Sequence, residues 1–419
     1  MTGNGRPRVL ILGGGFAGVG AAQKLEHAAA EVVLVDRHDY HTFQPLLYQL
    51  ATGLLETTAV GHSLRDLLSR HENTVLHKAG VTAIDLEQRT VEFDEIAPIS
   101  YDYLVFALGA EVNFFGTAGA PDHAFPMYTL PHAVHLKDHL LERWEAVDRD
   151  PSLLADGALN VVVVGGGPTG VETAGALAEL YRGDFAKDYP GVDPEDARVT
   201  LVEAGPELFG MFKPKLRDYA EEALTKRGVE VKTGEVVASV TPTTVTLKSG
   251  EKLKAHTLVW GAGLQGNPLV QSLGLELQRG NRIGVGPDLT LPGYSEVFVV
   301  GDVAAITDSK TEQVLPQLGS VALQSGERAG TTIADRIAGK EPKPFKYKDK
   351  GTMATIGRGA AVVQMLGGRT MTGFKAQAAW GAVHLALLPT NEDRAKAVVD
   401  WAGAATTHQR AGRITVEAK

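Results

Sequence analysis

Arg8-Val-Leu-Ile-Leu-Gly13-Gly-Gly15-Phe-Ala-Gly18-Val-Gly20 and Asn160-Val-Val-Val-Val-Gly165-Gly-Gly167-Pro-Thr-Gly170-Val-Glu172 are two copies of one pattern. Each is an unbroken apolar run, as in a parallel strand buried on both faces, followed by G-x-G-x-x-G and an Ala-rich helical stretch. Each leads to a second buried strand that ends in a carboxylate, Glu31-Val-Val-Leu-Val-Asp36 and Val199-Thr-Leu-Val-Glu203. One such glycine motif is a weak signal. Two, each with strand, helix and terminal acid in order, specify two dinucleotide-binding modules. The first glycine makes the tight turn, the second admits a pyrophosphate to the backbone, and the third lets helix pack on strand. The pyrophosphate then lies over a helix N-terminus, where free N–H groups and the dipole favour anions. Asp36 and Glu203 stand where a carboxylate takes the hydroxyls of an adenosine ribose.

Outward from these copies, Tyr101-Asp-Tyr-Leu-Val-Phe-Ala-Leu-Gly109, Thr257-Leu-Val-Trp-Gly-Ala-Gly263 and Glu296-Val-Phe-Val-Val-Gly-Asp302 read as further buried strands closing on glycine. Thr243-Thr-Val-Thr-Leu-Lys-Ser-Gly250-Glu-Lys-Leu reads as a hairpin in a small antiparallel layer. The fold class is α/β: two Rossmann-like dinucleotide-binding domains, one inserted in the other, plus a C-terminal helical and basic region. The expected boundaries are 1–125 and 270–345 for the first domain, 126–269 for the second, and 346–419 for the C-terminal region.

Composition removes several alternatives. The 419 residues carry a formal net charge of −9, which argues against nucleic acid as a partner. Cysteine is absent, so disulfides, thiolate metal sites, a catalytic thiol and a dithiol relay are excluded together. No apolar run reaches the roughly 20 residues of a spanning helix, and the N-terminus enters a strand pattern too soon for a signal peptide. His38 and His41 flank Tyr40 without a partner at metal spacing, so no metal site is expected. From Lys340 onward there are 13 Lys+Arg against 6 Asp+Glu, while the rest carries 28 against 44. A basic tail on an acidic body can seat against anionic lipid or an acidic partner; ordinary surface variation is the simpler reading.

The chain resembles the type II NADH dehydrogenases, single-subunit NADH:quinone oxidoreductases of the two-dinucleotide-binding-domain flavoprotein superfamily. The resemblance runs from about residue 6 to residue 415. It rests on Asp39-Tyr-His-Thr-Phe-Gln-Pro-Leu-Leu-Tyr-Gln-Leu-Ala-Thr-Gly53, Asn113-Phe-Phe-Gly116, Gly165-Gly-Gly-Pro-Thr-Gly-Val-Glu-Thr-Ala174, Leu201-Val-Glu-Ala-Gly-Pro206 and Ala354-Thr-Ile-Gly-Arg358. It implies non-covalent FAD in the first module, on Gly13, Gly15, Phe16, Ala17, Gly18, Asp36, Arg37, Gln44, Pro45, Val81, Ala107, Gly109, Gly301, Asp302, Ser320 and Val321. It implies NADH in the second, on Gly165, Gly167, Gly170 and Glu203, with Pro168, Thr169, Gly261 and Gly263 as further cofactor-binding positions. Two residues are candidates for catalytic roles. Glu172 replaces the glycine at position 20 of the first copy and puts a carboxylate on an opening helical turn, for positioning nicotinamide or relaying protons. Gln324 offers an amide to a quinone carbonyl.

The departures from the family pattern are local. Ala107-Leu108-Gly109 stands where an Ala-Thr-Gly turn is usual, and Gly319-Ser320-Val321-Ala322-Leu323-Gln324 where Ala-Gln-x-Ala-x-Gln is usual. The helix expected over 373–388 is alanine-heavy and carries Lys375. Trp380 and His384, at i and i+4, are read as packing in the core or across a homodimer, with an interfacial aromatic belt as the second reading.

The expected activity is transfer of two electrons from NADH through FAD to a quinone, without proton pumping. The alternatives are a soluble NAD(P)H-dependent reductase of another acceptor and a dinucleotide-binding redox sensor. The expected location is cytoplasmic, peripheral on the inner face of the cell membrane. Removal of residues beyond about 345 is expected to lower quinone reduction while leaving NADH-dependent flavin reduction largely intact.

Overall fold

The computed structural model describes residues 5–407. Residues 1–4 and 408–419 lie outside the described residues, and with the latter go Arg410, Arg413 and Lys419 of the basic tail. By packing, the chain forms two units. One comprises Met1–Thr42, His62–Glu111 and Leu264–Lys348; the other comprises Phe43–Gly61, Val112–Gly263 and Asp349–Lys419.

In the first unit, five parallel strands run in the order Tyr294–Val299, Tyr103–Phe106, Arg8–Leu12, Glu31–Asp36 and Thr74–Lys78. Thr290–Leu291 adds an antiparallel edge. Val9, Leu10, Ile11 and Leu12 are fully buried, as the two-sided apolar run requires. The helix Phe16–Leu25 leaves the first glycine loop and crosses the helix Gly319–Ile337 at close range. A Cβ at Gly326 would lie 1.9 Å from the Ala17 carbonyl oxygen, and one at Gly20 would lie 3.0 Å from that of Leu323. Glycine at position 20 therefore serves helix packing.

The second unit repeats the plan. Its parallel strands run Ala124–Pro126, Thr257–Trp260, Val161–Val164, Val199–Glu203 and Val229–Thr233. In both sheets the strand that enters the glycine loop is central, and the strand ending in the acid is its neighbour. Each unit also has a three-stranded antiparallel layer with a register shift near its start, at Val81/Ala83 in one and Val237/Ser239 in the other. The expected hairpin is formed by Thr244–Leu247 and Lys252–Lys254.

The C-terminal region holds more than helices. Thr352–Gly357, Ala360–Gln364 and Thr370–Thr372 form an antiparallel sheet ahead of the helices Gly373–Leu387 and Asn391–Thr407. The helix Pro168–Glu179 packs on the first of these strands, and Gly175 permits it: a Cβ there would fall 2.1 Å from the Ile356 carbonyl oxygen. Ala354 and Ile356 are fully buried. This stretch is thus core of the second unit, so its removal would open that unit, and the expectation that truncation spares flavin reduction is withdrawn. Trp380 and His384 are buried and stacked with centroids 4.0 Å apart, which is core packing within the chain.

Candidate active site

The two glycine loops share their backbone plan. Gly13 and Gly165 take positive φ values of 102° and 112°, and their N–H groups donate to the carbonyls of Val35 and Val202. A Cβ at Gly18 or Gly170 would strike the carbonyl oxygen of Gly13 or Gly165 at 1.8 Å, so each helix can leave its loop only from glycine. At Gly15 and Gly167 nothing lies within 4 Å of where a Cβ would stand. That open backbone at a helix N-terminus is the surface a pyrophosphate needs, and the residues of both loops fit a dinucleotide such as FAD or NADH. Phe16 and Ala17 form the first turn of one helix, Pro168 and Thr169 that of the other.

Sequence placed Asp36 and Glu203 as ribose ligands; the structure adds that they clamp the loops. Asp36 accepts from the N–H of Gly14 at 2.6 Å and of His38 at 2.7 Å. Glu203 accepts from Gly166 and Gly205, both at 2.5 Å. Each carboxylate oxygen keeps lone-pair capacity for a ribose hydroxyl. His41 supports the first loop from below: its Nδ1 lies 3.0 Å from the Gly14 carbonyl, and burial lowers its pKa to about 4. The ring is therefore neutral, with Nδ1–H as donor.

The other expected FAD contacts divide between the units. Ala107 presents its carbonyl to Gly13, and Gly109 sits in the left-handed region at φ 68°. Arg37 is exposed and Val81 half-buried. Gly301, at φ 73°, donates its N–H to Ser325 Oγ at 3.1 Å, and the Asp302 carbonyl accepts from Gln317 Nε2 at 3.0 Å. Val321 is buried, and Ser320 Oγ lies 2.9 Å from the Tyr347 hydroxyl. Gln44 and Pro45 belong to the second unit.

Gln324 is tied at both ends to one residue. Its Nε2 donates to the Lys348 carbonyl at 3.1 Å, and its Oε1 accepts from the Lys348 N–H at 3.0 Å. The amide so fastens the segment around Tyr347 and Lys348, with its second N–H left for another acceptor.

In the second unit, Glu172 is buried, and its Oε1 accepts from the Thr355 N–H at 3.1 Å. Burial pushes its carboxyl up to about 8, against the pull of that N–H. The Trp380 indole adds a weaker pull without a regular hydrogen bond. Thr355 Oγ1 lies 2.9 Å from the Tyr48 hydroxyl, which accepts from Gln49 Nε2 at 2.8 Å; Gln49 Oε1 accepts from Trp401 Nε1 at 2.8 Å. This buried chain links the Glu172 carboxyl to the last helix. Sequence reasoning missed Tyr48, Gln49, Thr355 and Trp401, although Tyr48, Gln49 and Thr355 lie in motifs that stood out. The signal available was polar residues inside apolar runs. Among the described residues no group of His, Asp or Glu has a metal-binding arrangement.

The sequence profile of the pyridine nucleotide-disulphide oxidoreductase family matches residues 7–326. The type II NADH:quinone oxidoreductase Ndh of Mycobacterium tuberculosis is 34% identical over 98% of this chain and 90% of its own length. That of Staphylococcus aureus is 33% identical over 88% of this chain and 92% of its own. The structure of NDH2 from Plasmodium falciparum in complex with NADH superposes with a TM-score of 0.91, at 19% identity, over 98% of this chain and 100% of that one. With two clamped glycine loops, no cysteine for disulfide chemistry and near-full-length relatives at about a third identity, the chain belongs to the type II NADH:quinone oxidoreductases.

Proposed function

We propose that the protein binds FAD on the first unit and NADH on the second, and passes two electrons from NADH to a membrane quinone. The duplicated, acid-clamped glycine loop in a chain without cysteine carries this reading, since it supplies two dinucleotide seats and no dithiol. FAD, when bound, supplies the hydride acceptor and the electron pair for the quinone. Gly13, Gly15 and Gly18 would receive its pyrophosphate, Asp36 its adenosine ribose, and Asp302 its ribityl chain. Gly165, Gly167 and Gly170 would do the same for NADH, and the charge of Glu203 would disfavour a 2′-phosphate, so NADH is preferred to NADPH.

With Oε1 engaged by the Thr355 N–H, the Glu172 proton sits on Oε2 at neutral pH. There it can be given up as a reduced quinone takes protons, or held to keep the nicotinamide site uncharged. Gln324 uses its remaining N–H for a quinone carbonyl while anchoring Lys348.

Membrane attachment is peripheral in this reading. No helix among the described residues is long and apolar enough to cross a bilayer. The last two helices instead leave apolar side chains exposed, Phe374 at 74% and Val399 at 68%, with Lys375 beside Phe374. The test is stopped-flow reduction of the FAD-loaded protein by NADH and by NADPH, then reoxidation by menaquinone and ubiquinone analogues and by oxygen. Fast bleaching by NADH with reoxidation by a quinone is expected. Reoxidation by oxygen alone would favour the soluble reductase, and no bleaching the sensor.

A further inference from the structure

The turn Phe114–Thr117 is closed by the Thr117 N–H donating to the Phe114 carbonyl at 2.9 Å. Its two central residues, Phe115 and Gly116, both lie in the left-handed region, at φ 51° and 70°. Turn chemistry explains Gly116. It does not explain Phe115, because this first central position favours Asn, Asp or Gly and penalises a bulky Cβ. Burial does not explain it either, since Phe115 is 65% exposed.

What the ring touches is informative. A Cβ at Gly263 would lie 2.2 Å from Phe115 Cζ, so the ring rests on the Gly263 backbone in the space that glycine leaves. The contact is built firmly. Asn113 donates its N–H to the Gly263 carbonyl at 3.1 Å and accepts from the Phe115 N–H on Oδ1 at 2.7 Å. The Trp260 indole N–H donates to the Asn113 carbonyl at 3.0 Å.

The place of this ring in the sheet decides its ligand, on the reading above that the second unit holds NADH. Glu203 ends the strand on one side of the central strand Val161–Val164 and marks the adenosine side. Gly261–Gly263 follows the strand Thr257–Trp260 on the other side. A Cβ at Gly165 would lie 2.9 Å from the Gly261 carbonyl oxygen, so that loop abuts the pyrophosphate seat. A dinucleotide with its adenosine at Glu203 must run its other half towards Gly261–Gly263. We propose that Phe115 positions the nicotinamide half of NADH, its exposed ring forming an apolar wall over the Gly261–Gly263 backbone.

The test uses the FAD-loaded enzyme with Phe115→Gly, which suits the left-handed backbone, and Phe115→Tyr, which keeps the ring. NAD+ and ADP-ribose affinities are read by calorimetry, and the NADH affinity from the concentration dependence of flavin reduction. For Phe115→Gly, NAD+ and NADH should each bind about tenfold more weakly, the size of one lost aromatic contact. ADP-ribose, which lacks the nicotinamide, should change less than about twofold. The Tm should not fall, and Phe115→Tyr should stay near the wild type. Equal losses for NAD+ and ADP-ribose, or no loss for either, would overturn the assignment. A wild-type enzyme that binds neither compound would overturn the NADH reading along with it.

Discussion

Glu172 and Gly20 occupy equivalent places in the two copies, and the difference between them sets a measurable pH dependence. The carboxyl lies at about 8 in the fold, against an ordinary value of 4.5, because burial disfavours the anion more than the Thr355 N–H favours it. A folded value above the unfolded one means that the native state holds a proton the unfolded chain has released. Its contribution is complete below about pH 4.5 and is lost as pH rises through 8. His41 and His384, lowered to about 4 by burial, act in the opposite sense between 4 and 6.5. They are common to wild type and variant and cancel in a difference. Glu172→Gln keeps an acceptor for Thr355 and cannot ionise. The stability of wild type minus variant should therefore fall by a few kcal/mol between pH 5 and 8, at up to about 1.4 kcal/mol per pH unit. Urea midpoints at pH 5, 6.5 and 8 measure it, and a flat difference would refute the buried-proton assignment.

The two phosphate-loop helices begin alike and pack differently, which is where the sequence stopped being legible. The strands, loops, acids and helix starts could be read because each depends on local pattern: unbroken apolar runs, glycine spacing, a terminal carboxylate. The partner of each helix could not. Gly326 and Gly330 bring the helix Gly319–Ile337 onto Phe16–Leu25, whereas Gly175 brings Pro168–Glu179 onto a strand nearly two hundred residues later. Nothing near Gly175 announces Thr352–Gly357, whose apolar residues were absorbed into a region expected to be helical. The acids were legible as residue types but not as clamps, since Gly14 and Gly166 act through backbone N–H groups. The helix crossing supports a graded prediction. Gly326→Ala and Gly330→Ala place a methyl 1.9 and 2.4 Å from the carbonyl oxygens of Ala17 and Ala21. Backbone must move, at about 1–3 kcal/mol each. Because Phe16–Leu25 carries the glycine loop, both variants should also release FAD more readily. Gly183→Ala, with nothing within 4 Å, is the control. Flavin retention and Tm together should rank Gly326 as more severe than Gly183; equal behaviour would show that the crossing does not govern the loop.

For the molecule as a whole, the sign of the charge changes along the chain, and the C-terminal end joins basic residues to exposed apolar ones. Leu366, Phe374 and Val399 are each more than 60% exposed, while Trp380 and His384 on the same stretch are buried. The exposed set can enter a bilayer interface without unpacking the core that holds Thr355 against Glu172. Two forces then act together. Each Lys or Arg near an anionic surface contributes about 1 kcal/mol, and burying Phe374 fully contributes roughly 1.5–3 kcal/mol. Raising salt to about 1 M shortens the Debye length to about 3 Å and removes the first contribution only. Anionic vesicles should therefore retain the protein at low salt and release much of it at high salt. Phe374→Ser with Val399→Ser should abolish the retention that survives high salt, and Lys375→Glu should weaken only the low-salt binding. None of these variants touches the glycine loops, so NADH reduction of the flavin should be unchanged while turnover with membrane-embedded quinone falls. Sedimentation with vesicles across a salt series reads all of this. Wild-type protein that ignores anionic vesicles at low salt would move the acceptor from membrane quinone to a dissolved one. Variants that stay bound at high salt would place the anchor on a surface other than the last two helices.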